Sequence, residues 1–388
     1  MTPAARIAAA VEVLDRWVGG EPAERALTNW ARANRFAGSG DRAAIRDHVF
    51  DAIRRRRSLA ALGGAGTGRG LMLGAMRADG ADPDLVFTGQ GHAPPPLTPA
   101  ERHPPPPSDD PFVRLDCPDW LAPALQESLG AAFEPVMETM RHRAPVFLRV
   151  NAARIGREEA VRTLAEEGIG AVPHRLSPTA LEVVDGARRI KASSAFRDGL
   201  VELQDAASQA VVDSLLPLPP GARVLDFCAG GGGKALALAA VGAAVTAHDA
   251  DPARMTDLPE RARRAGADIA VAGPGALAGL PPFDLVLADA PCSGSGAWRR
   301  QPEAKWRLDA ARLTALLAMQ DAVLDAAARH VRPGGRLAYA TCSLLQAENR
   351  ARIDAFRQRH PGWLMLAERR LTPLDGGDGF YIATLQAA

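Results

Sequence analysis

Apolar positions near the start of the chain recur every three or four residues. Ile7, Val11, Leu14 and Val18 fall on one helical face. Pro22 stands where a second helix would begin, carrying Leu27, Trp30 and Ala31. Gly38-Ser39-Gly40-Asp41 announces a third, with Asp41 as its N-cap and Ile45, Val49 and Ile53 on one side. Residues 1–91 are therefore read as a small helical bundle. Its third helix closes with Arg54-Arg55-Arg56-Arg57, a run suited either to a phosphate backbone or to the negative end of the helix dipole. Proline then dominates, including Pro94-Pro95-Pro96 and Pro104-Pro105-Pro106-Pro107. Such a stretch neither continues a helix nor pairs in a sheet, so 92–112 is expected to be an extended, semi-rigid linker.

Beyond the prolines, Pro118-Asp119-Trp120-Leu121 opens a helical segment, 146–150 reads as a strand, and 158–167 as a helix stopped by Gly168. Two more strand-like runs lie at 181–184 and 200–203. Residues 113–205 thus form a small α+β module, with Arg149, Asn151 and Arg154 clustered after its first strand; they serve either RNA capture or ordinary packing. From 206 to 388 the pattern alternates. Strand candidates at 223–227, 244–248, 269–272, 285–288 and 336–340 are separated by helical stretches such as 308–330, and a late strand follows a glycine-rich turn near 379–385. Alternation of this kind predicts an α/β, Rossmann-like domain with a parallel sheet covered on both sides. No internal repeats are seen.

Composition narrows the class. With 388 residues and 47% hydrophobic content, the chain can fill more than one core. No apolar run approaches a membrane span, and the opening Met1-Thr2-Pro3-Ala4-Ala5-Arg6 leads straight into an amphipathic pattern, which points to the cytoplasm and to no membrane partner. The net charge of +1 makes no case for nucleic acid, and because only three of the 46 basic residues are Lys, arginine abundance reads as base composition of the gene. Cys117, Cys228, Cys292 and Cys342 lack metal-type spacing, so no metal is expected, and a cytoplasmic protein would keep them reduced.

The run Val224-Leu225-Asp226-Phe227 ends in Cys228-Ala229-Gly230-Gly231-Gly232-Gly233-Lys234, so a buried strand turns sharply through glycines where a ligand can approach the backbone. A P-loop would need Gly at 228 and Ser or Thr at 235, where Cys and Ala stand. A dinucleotide loop is harder to exclude, because Asp249 ends the next apolar run about 20 residues on, where a ribose-binding carboxylate belongs. The loop by itself says only that the cofactor carries adenosine.

Ligands of an open parallel sheet bind beyond the carboxyl ends of its strands. The residues there are Cys228 and the glycines, Asp249, Asp289-Ala290-Pro291-Cys292, and Thr341-Cys342-Ser343, and all are expected to face one cleft. Two thiols and a carboxylate converging on a cofactor cleft favour methyl transfer over hydride transfer.

From 145 to 388 the chain resembles the RsmB/Nop/Sun family of S-adenosylmethionine-dependent RNA cytosine-C5 methyltransferases. The resemblance lies in Asp289-Ala290-Pro291-Cys292-Ser293-Gly294-Ser295-Gly296, Lys305-Trp306, Tyr339-Ala340-Thr341-Cys342-Ser343 with Glu348-Asn349, Gly376-Gly377-Asp378-Gly379-Phe380-Tyr381, Phe147-Leu148-Arg149-Val150-Asn151 and Gln204-Asp205-Ala206-Ala207-Ser208-Gln209. It implies Cys342 as attacking thiol, Cys292 as the group that releases the product, and Asp289 on the cytosine ring, protonated so as to donate to nitrogen 3. It further implies S-adenosyl-L-methionine held by Cys228, Ala229, Gly230, Gly231, Gly232, Gly233 and Lys234, with Asp249 on the ribose and Asp289 lining the same site. Ribosomal RNA is the expected partner and a monomer the expected state. By the same analogy the N-terminal bundle resembles a NusB-type RNA-binding domain. Lys305, Arg299 and Arg300 are candidates for the positive charge that lowers a thiol pKa, whereas Cys228 and Cys117 also fit as small buried residues.

Two departures from the family pattern stand out. The loop has Gly where Pro is usual and Ala235 where Thr is usual. Pro274, in Ala272-Gly273-Pro274-Gly275, replaces a carboxylate that contacts adenine. They motivate a rival reading, a non-catalytic RNA-binding or ribosome-assembly factor on a degenerate methyltransferase fold.

Overall fold

The helical spacing at the start of the chain closes on itself as expected. In the computed structural model, which describes residues 1–106 and 108–388, helix α1 (Pro3–Val18) buries Ile7, Ala10, Val13, Leu14 and Trp17, and the Thr2 hydroxyl accepts from the Ala5 N–H to cap it. Around it lie α2 (Ala23–Ala33), α3 (Ser39–Arg54), α4 (Arg56–Gly63) and α5 (Gly68–Ala78), whose buried Trp30, Ile45, Val49, Ile53, Leu59, Leu71 and Leu73 share one core with α1. Helices α4 and α5 approach so closely that a Cβ on Gly63 or Gly74 would lie 1.8 or 2.0 Å from a backbone oxygen of the facing helix. Asp41 is not the cap of α3, which starts at Ser39 with Gly38 before it; its carboxylate instead accepts from Arg6 Nε at 2.8 Å.

The arginine run and the proline stretch are both built into this unit. Arg54 donates to Asp51 at 2.5 Å and to the Arg299 carbonyl at 2.8 Å, Arg56 lies over the rings of Trp17 and Trp306, and Arg57 reaches Asp119 at 2.6 Å and the Cys117 carbonyl. These three side chains pack the unit and do not present a phosphate grip. The prolines are not a spacer: Arg69 donates to the carbonyls of Pro95 and Pro96 at 3.1 Å and to Glu101 at 2.7 Å, and Leu97 is buried in the bundle core. Pro107 lies outside the described residues.

Helices α6 (Pro111–Arg114), α7 (Ala122–Leu129) and α8 (Phe133–Met140) follow. Fully buried Asp116 ties this stretch to α4 by accepting from the Arg57 N–H at 2.8 Å, the Ser58 N–H at 2.9 Å, the Ser58 hydroxyl at 2.8 Å and Arg141 Nε at 3.0 Å. Contacts accordingly divide the chain into Met1–Arg143 with Trp298–Arg307, and Ala144–Ala297 with Leu308–Ala388. By contacts the helices after the prolines group with the bundle, although the sequence pattern assigns them to a module of 113–205.

In the second unit, β1 (Val146–Val150), α9 (Arg157–Glu166), β2 (Ala171–Pro173), β3 (Ala180–Val183), α10 (Ser194–Arg197) and β4 (Val201–Leu203) form the α+β module, with an antiparallel sheet in the order β2-β3-β1-β4. The chain continues through α11 (Ala206–Asp213), β5 (Arg223–Asp226), α12 (Gly233–Ala240), β6 (Ala244–His248), α13 (Leu258–Ala265), β7 (Ile269–Ala272) and β8 (Phe283–Asp289). Helix α14 (Pro302–Arg307) belongs to the first unit. There Lys305 Nζ donates to the Arg54 carbonyl at 3.0 Å, Trp306 Nε1 to the Ile53 carbonyl at 2.7 Å, and Glu303 accepts from Trp17 Nε1 at 3.0 Å. Helix α15 (Ala310–Ala328), β9 (Val331–Thr341), α16 (Arg350–Arg359), β10 (Trp363–Leu371) and β11 (Phe380–Ala387) complete the second unit.

Its large sheet has the order β10-β11-β9-β8-β5-β6-β7; β7, β6, β5, β8 and β9 are parallel, and β11 runs antiparallel to β9 and β10. Connections diverge to either side of β5, so a crevice opens beyond the carboxyl ends of the strands. The module packs on this sheet through Phe147, Leu176 and Ala180, which share a core with Val224, Leu236 and Leu285. No helix among the described residues is long and apolar enough to cross a membrane.

Replacing Asp116 by Ala removes the shared acceptor of four donors, two of them buried. It is expected to lower the unfolding free energy by roughly 2–4 kcal/mol, read by urea denaturation, whereas Arg102→Ala, which removes an exposed pair with Asp84, changes it by under about 1 kcal/mol.

Candidate active site

The glycine loop is fixed from several sides. Gly230 and Gly232 adopt φ of 49° and 77°, values that L side chains rarely take. The Ala229 N–H donates to the His248 carbonyl at 2.8 Å, the Gly230 N–H to Asp249 Oδ2 at 3.0 Å, and the Gly232 N–H to the Ala229 carbonyl at 2.8 Å. Two buried or half-buried arginines close the outer side: Arg149 donates to the Gly233 carbonyl at 2.5 Å and Arg261 to that of Gly231. Of the cluster read from sequence as RNA contacts or packing, Arg149 and Asn151 are buried, Asn151 binding the Gly199 and Ala265 carbonyls at 3.0 and 2.9 Å, while exposed Arg154 donates to those of Asp198 and Arg264. His248 ties β6 to β7 through Nδ1 and the Ala272 carbonyl at 2.9 Å.

Lys234 turns inward from the first turn of α12 and donates to Asp289 Oδ2 at 2.6 Å from the end of β8. Burial pulls its ammonium down, but Asp289 and Asp226 outweigh burial, so the net shift is upward and the cation is secured; Cys342 is among the groups that raise it. Sequence reading took Lys234 as part of a backbone cradle and looked to Lys305, Arg299 and Arg300 for positive charge. Lys305 is committed to a bundle carbonyl, and burial brings its value down to about 8. Arg299 and Arg300 also belong to the first unit. Inside the second unit Lys234 is a buried cation coupled to Asp289 and to Cys342, a placement that only the partner of its side chain reveals. In this pairing Asp289 Oδ2 is the acceptor, whereas the resemblance implied a protonated carboxyl that donates to nitrogen 3 of cytosine.

Parallel pairing of β8 with β9 sets Asp289 opposite Ala340, and the Ala290 N–H continues the ladder to the Ala340 carbonyl at 2.9 Å. The loops that follow bring Cys292 Sγ and Cys342 Sγ to 3.4 Å. The hydrogen bond to Cys342, then burial, hold the Cys292 thiol well above its ordinary value. Burial likewise raises Cys228, and Cys117 to about 12, which suits small packed side chains in both places. Behind the thiols, Gly296 and Gly379 touch backbone to backbone: the Gly296 N–H donates to the Cys342 carbonyl and the Gly379 N–H to that of Gly296, each at 2.9 Å, and a Cβ on Gly296 would lie 2.1 Å from the Gly379 oxygen. The motifs around residues 292, 342 and 376–381 therefore meet at one place.

A ligand with an adenosine and an amino-acid end fits these donors and acceptors. Asp249 is buried at the end of β6; its oxygens take the Gly230 and Asp251 N–H groups at 3.0 Å and an ion pair with Arg254 at 3.1 Å, and each retains acceptor capacity for a ribose hydroxyl. Beyond β7, Pro274 supplies no carboxylate for adenine, as the sequence indicated.

Comparison with known proteins bears on this arrangement. A family model described as 16S rRNA methyltransferase RsmB/F matches residues 214–386, and one described as an RsmF/B-like ferredoxin-like domain matches 117–188. A ribosomal RNA small subunit methyltransferase B from Xylella fastidiosa is 38% identical over 71% of this chain and 68% of its own length. One of the same name from Citrobacter koseri is 35% identical over 69% of this chain; the alignment spans 66% of that relative. Among solved structures, the one titled Crystal Structure of PH0851 superposes with a TM-score of 0.79 at 25% identity over 99% of both chains. A methyltransferase homologue from Pyrococcus horikoshii gives 0.63 at 24% identity over 75% of this chain and all of its own, a likeness of fold.

Burial, and then the neighbouring Asp289 carboxylate, push Asp226 up to about 7. A raised carboxyl favours the protonated fold, so its contribution to stability is complete below pH of about 4 and is lost as pH rises through about 7. Asp226→Asn, which has no proton to lose, is expected to show a smaller fall in unfolding free energy than the unsubstituted protein between pH 5 and 8, measured by urea denaturation; parallel curves would contradict the assignment.

Proposed function

Because the chain belongs to the RsmB/F family of 16S rRNA methyltransferases, we propose that it methylates carbon 5 of a cytosine in small-subunit ribosomal RNA by covalent thiol catalysis. The observation that carries this reading is the 3.4 Å approach of two reduced thiols, one at the end of each of two neighbouring parallel strands, beside a Lys-carboxylate pair. A decayed, non-catalytic scaffold has no use for that pairing.

Each residue then has a distinct task. Cys342 attacks carbon 6 as a thiolate, stabilised by the Lys234 ammonium. The carboxylate of Asp289, held as an acceptor by Lys234, receives a hydrogen bond from the exocyclic amine of cytosine, a donor that uracil lacks. S-adenosylmethionine, when bound, supplies the methyl group to carbon 5. Cys292, having given up its own thiol proton to solvent, then takes the carbon-5 proton as a thiolate, and the electron pair left behind expels Cys342 from carbon 6, restoring the ring and the Cys342 thiolate; the proton lost to solvent is the one the methylation releases overall. The loop from Cys228 to Lys234 and Asp249 are the residues suited to hold the cofactor, with backbone N–H groups and a carboxylate already aimed by their own hydrogen bonds. The target base must be unpaired or extruded to enter.

Small-subunit RNA from cells lacking the protein, incubated with the purified full chain and S-adenosylmethionine and then bisulfite-sequenced, is expected to gain one protected cytosine. Cys342→Ala is expected to lower the rate by at least about a thousandfold. Cys292→Ala is expected to accumulate a protein–RNA adduct seen as a slow band on a denaturing gel. Normal methylation by Cys342→Ala overturns the nucleophile assignment, and calorimetry with no heat of S-adenosylmethionine binding up to millimolar concentration overturns the cofactor reading.

A further inference from the structure

Each reactive cysteine is followed directly by a serine, and both serine hydroxyls end on one atom. Ser293 Oγ and Ser343 Oγ each donate to Glu348 Oε2 at 2.5 Å, while Glu348 Oε1 accepts from the Ser293 N–H at 2.8 Å and from Gln320 Nε2 at 2.9 Å. Glu348, Ser343 and Gln320 are fully buried. No cation pairs with Glu348 among the described residues, so its carboxylate is compensated by these neutral donors alone. The neighbouring residue repeats the pattern from the other side: Asn349 Oδ1 accepts from Thr341 Oγ1 at 2.5 Å and its Nδ2 donates to the Ser343 carbonyl at 2.9 Å, so residues on both flanks of Cys342 are held. Tyr339 OH donates to the Glu348 carbonyl at 2.7 Å and fixes the turn itself to β9.

The two cysteine loops leave different strands, and no covalent bond or regular ladder spans them past the pairing of residue 290 with 340. A carboxylate has no hydrogen to donate, so two hydroxyls that share one of its oxygens are drawn to a common point. Here they stand 3.4 Å apart, the same separation as the sulfurs one residue earlier in each loop. We propose that Glu348 is a positioning residue that sets the distance between the Cys292 and Cys342 thiols by gripping the serine beside each. The inference rests on the covalent mechanism for its meaning, since attack and proton removal act on adjacent carbons of one ring and need both sulfurs within reach of it. Glu348 itself touches neither sulfur in the hydrogen-bond pattern and acts through Ser293 and Ser343.

Thiol cross-linking reads that distance without any RNA. Diamide, an azo oxidant, takes one hydrogen from each thiol, becomes the hydrazine and leaves a disulfide. In the reduced full chain the Cys292–Cys342 disulfide, identified by peptide mass spectrometry, is expected to form ahead of any pairing with Cys117 or Cys228. Ser293→Ala and Ser343→Ala each delete one small hydroxyl and are expected to slow it about tenfold, as the effective concentration of one thiol at the other falls. Glu348→Ala is expected to slow it further, and Glu348→Gln, which keeps one oxygen acceptor, to lie between. In RNA methylation the same serine variants are expected to lose kcat with KM for RNA and S-adenosylmethionine unchanged. Thermal melts identify the variants that remain folded. A folded Ser343→Ala protein that cross-links at the original rate overturns the proposal, as does a loss confined to KM. Cross-linking that depends on Glu348 in a protein that methylates no RNA supports the clamp and refutes the methyltransferase reading, so the two fail separately.

Discussion

The parallel pairing of β8 with β9 is the constraint from which the site follows. Both strands run through the centre of the sheet, and Val286, Leu287 and Ala288 face Leu337, Ala338 and Tyr339 with every side chain buried. A shift of one residue would turn each of these side chains to the opposite layer, so burial on both faces locks the register. Because the register is locked, the two strands end level, and the loops carrying Cys292 and Cys342 start from adjacent points. The proposed chemistry, which requires two sulfurs on one base, thereby rests on a buried, central strand pair.

Charge is arranged with equal economy around that pair. Lys234 is the first inward-facing side chain after the glycine loop, and Asp289 the last residue of β8, so a strand end and a helix start supply an ion pair at 2.6 Å without any long loop. The α+β module contributes from the other side of the loop, where Arg149 and Gln204 bind one another at 2.5 Å and Arg149 holds the Gly233 carbonyl. A glycine-rich turn that would otherwise be mobile is thus held by partners from β6, α13 and the module. This support compensates in part for the missing Pro in the loop, the substitution that made a decayed scaffold worth weighing.

Local pattern misled where polar side chains had several conceivable partners. Four consecutive arginines read as a phosphate grip, yet the carbonyls of Arg299 and Cys117, the carboxylates of Asp51 and Asp119 and the rings of Trp17 and Trp306 absorb three of them. The proline stretch read as a spacer because proline cannot join a helix or a sheet, but carbonyl groups freed from such pairing are good acceptors, and Arg69 uses them. Strand β10 was missed altogether: it is an exposed edge with a bulge between Met365 and Ala367, so alternation of apolar and polar residues never develops.

The sequence alone determined the elements whose burial is one-sided or complete, because hydrophobic periodicity is a direct record of which face leaves water. It therefore marked the first three bundle helices, most strands of the α/β domain and the loops after those strands, which carry Cys228, Asp249, Asp289, Cys292 and Cys342. Tertiary structure alone decided which polar groups meet. Lys234 as the cation of the site, Lys305 as a bundle anchor and Glu348 as the link between two serines depend on neighbours 55, 251 and 55 or 5 positions away in the chain. A charged side chain carries no periodic mark of its partner; only folding, which must satisfy every buried donor and acceptor, selects it.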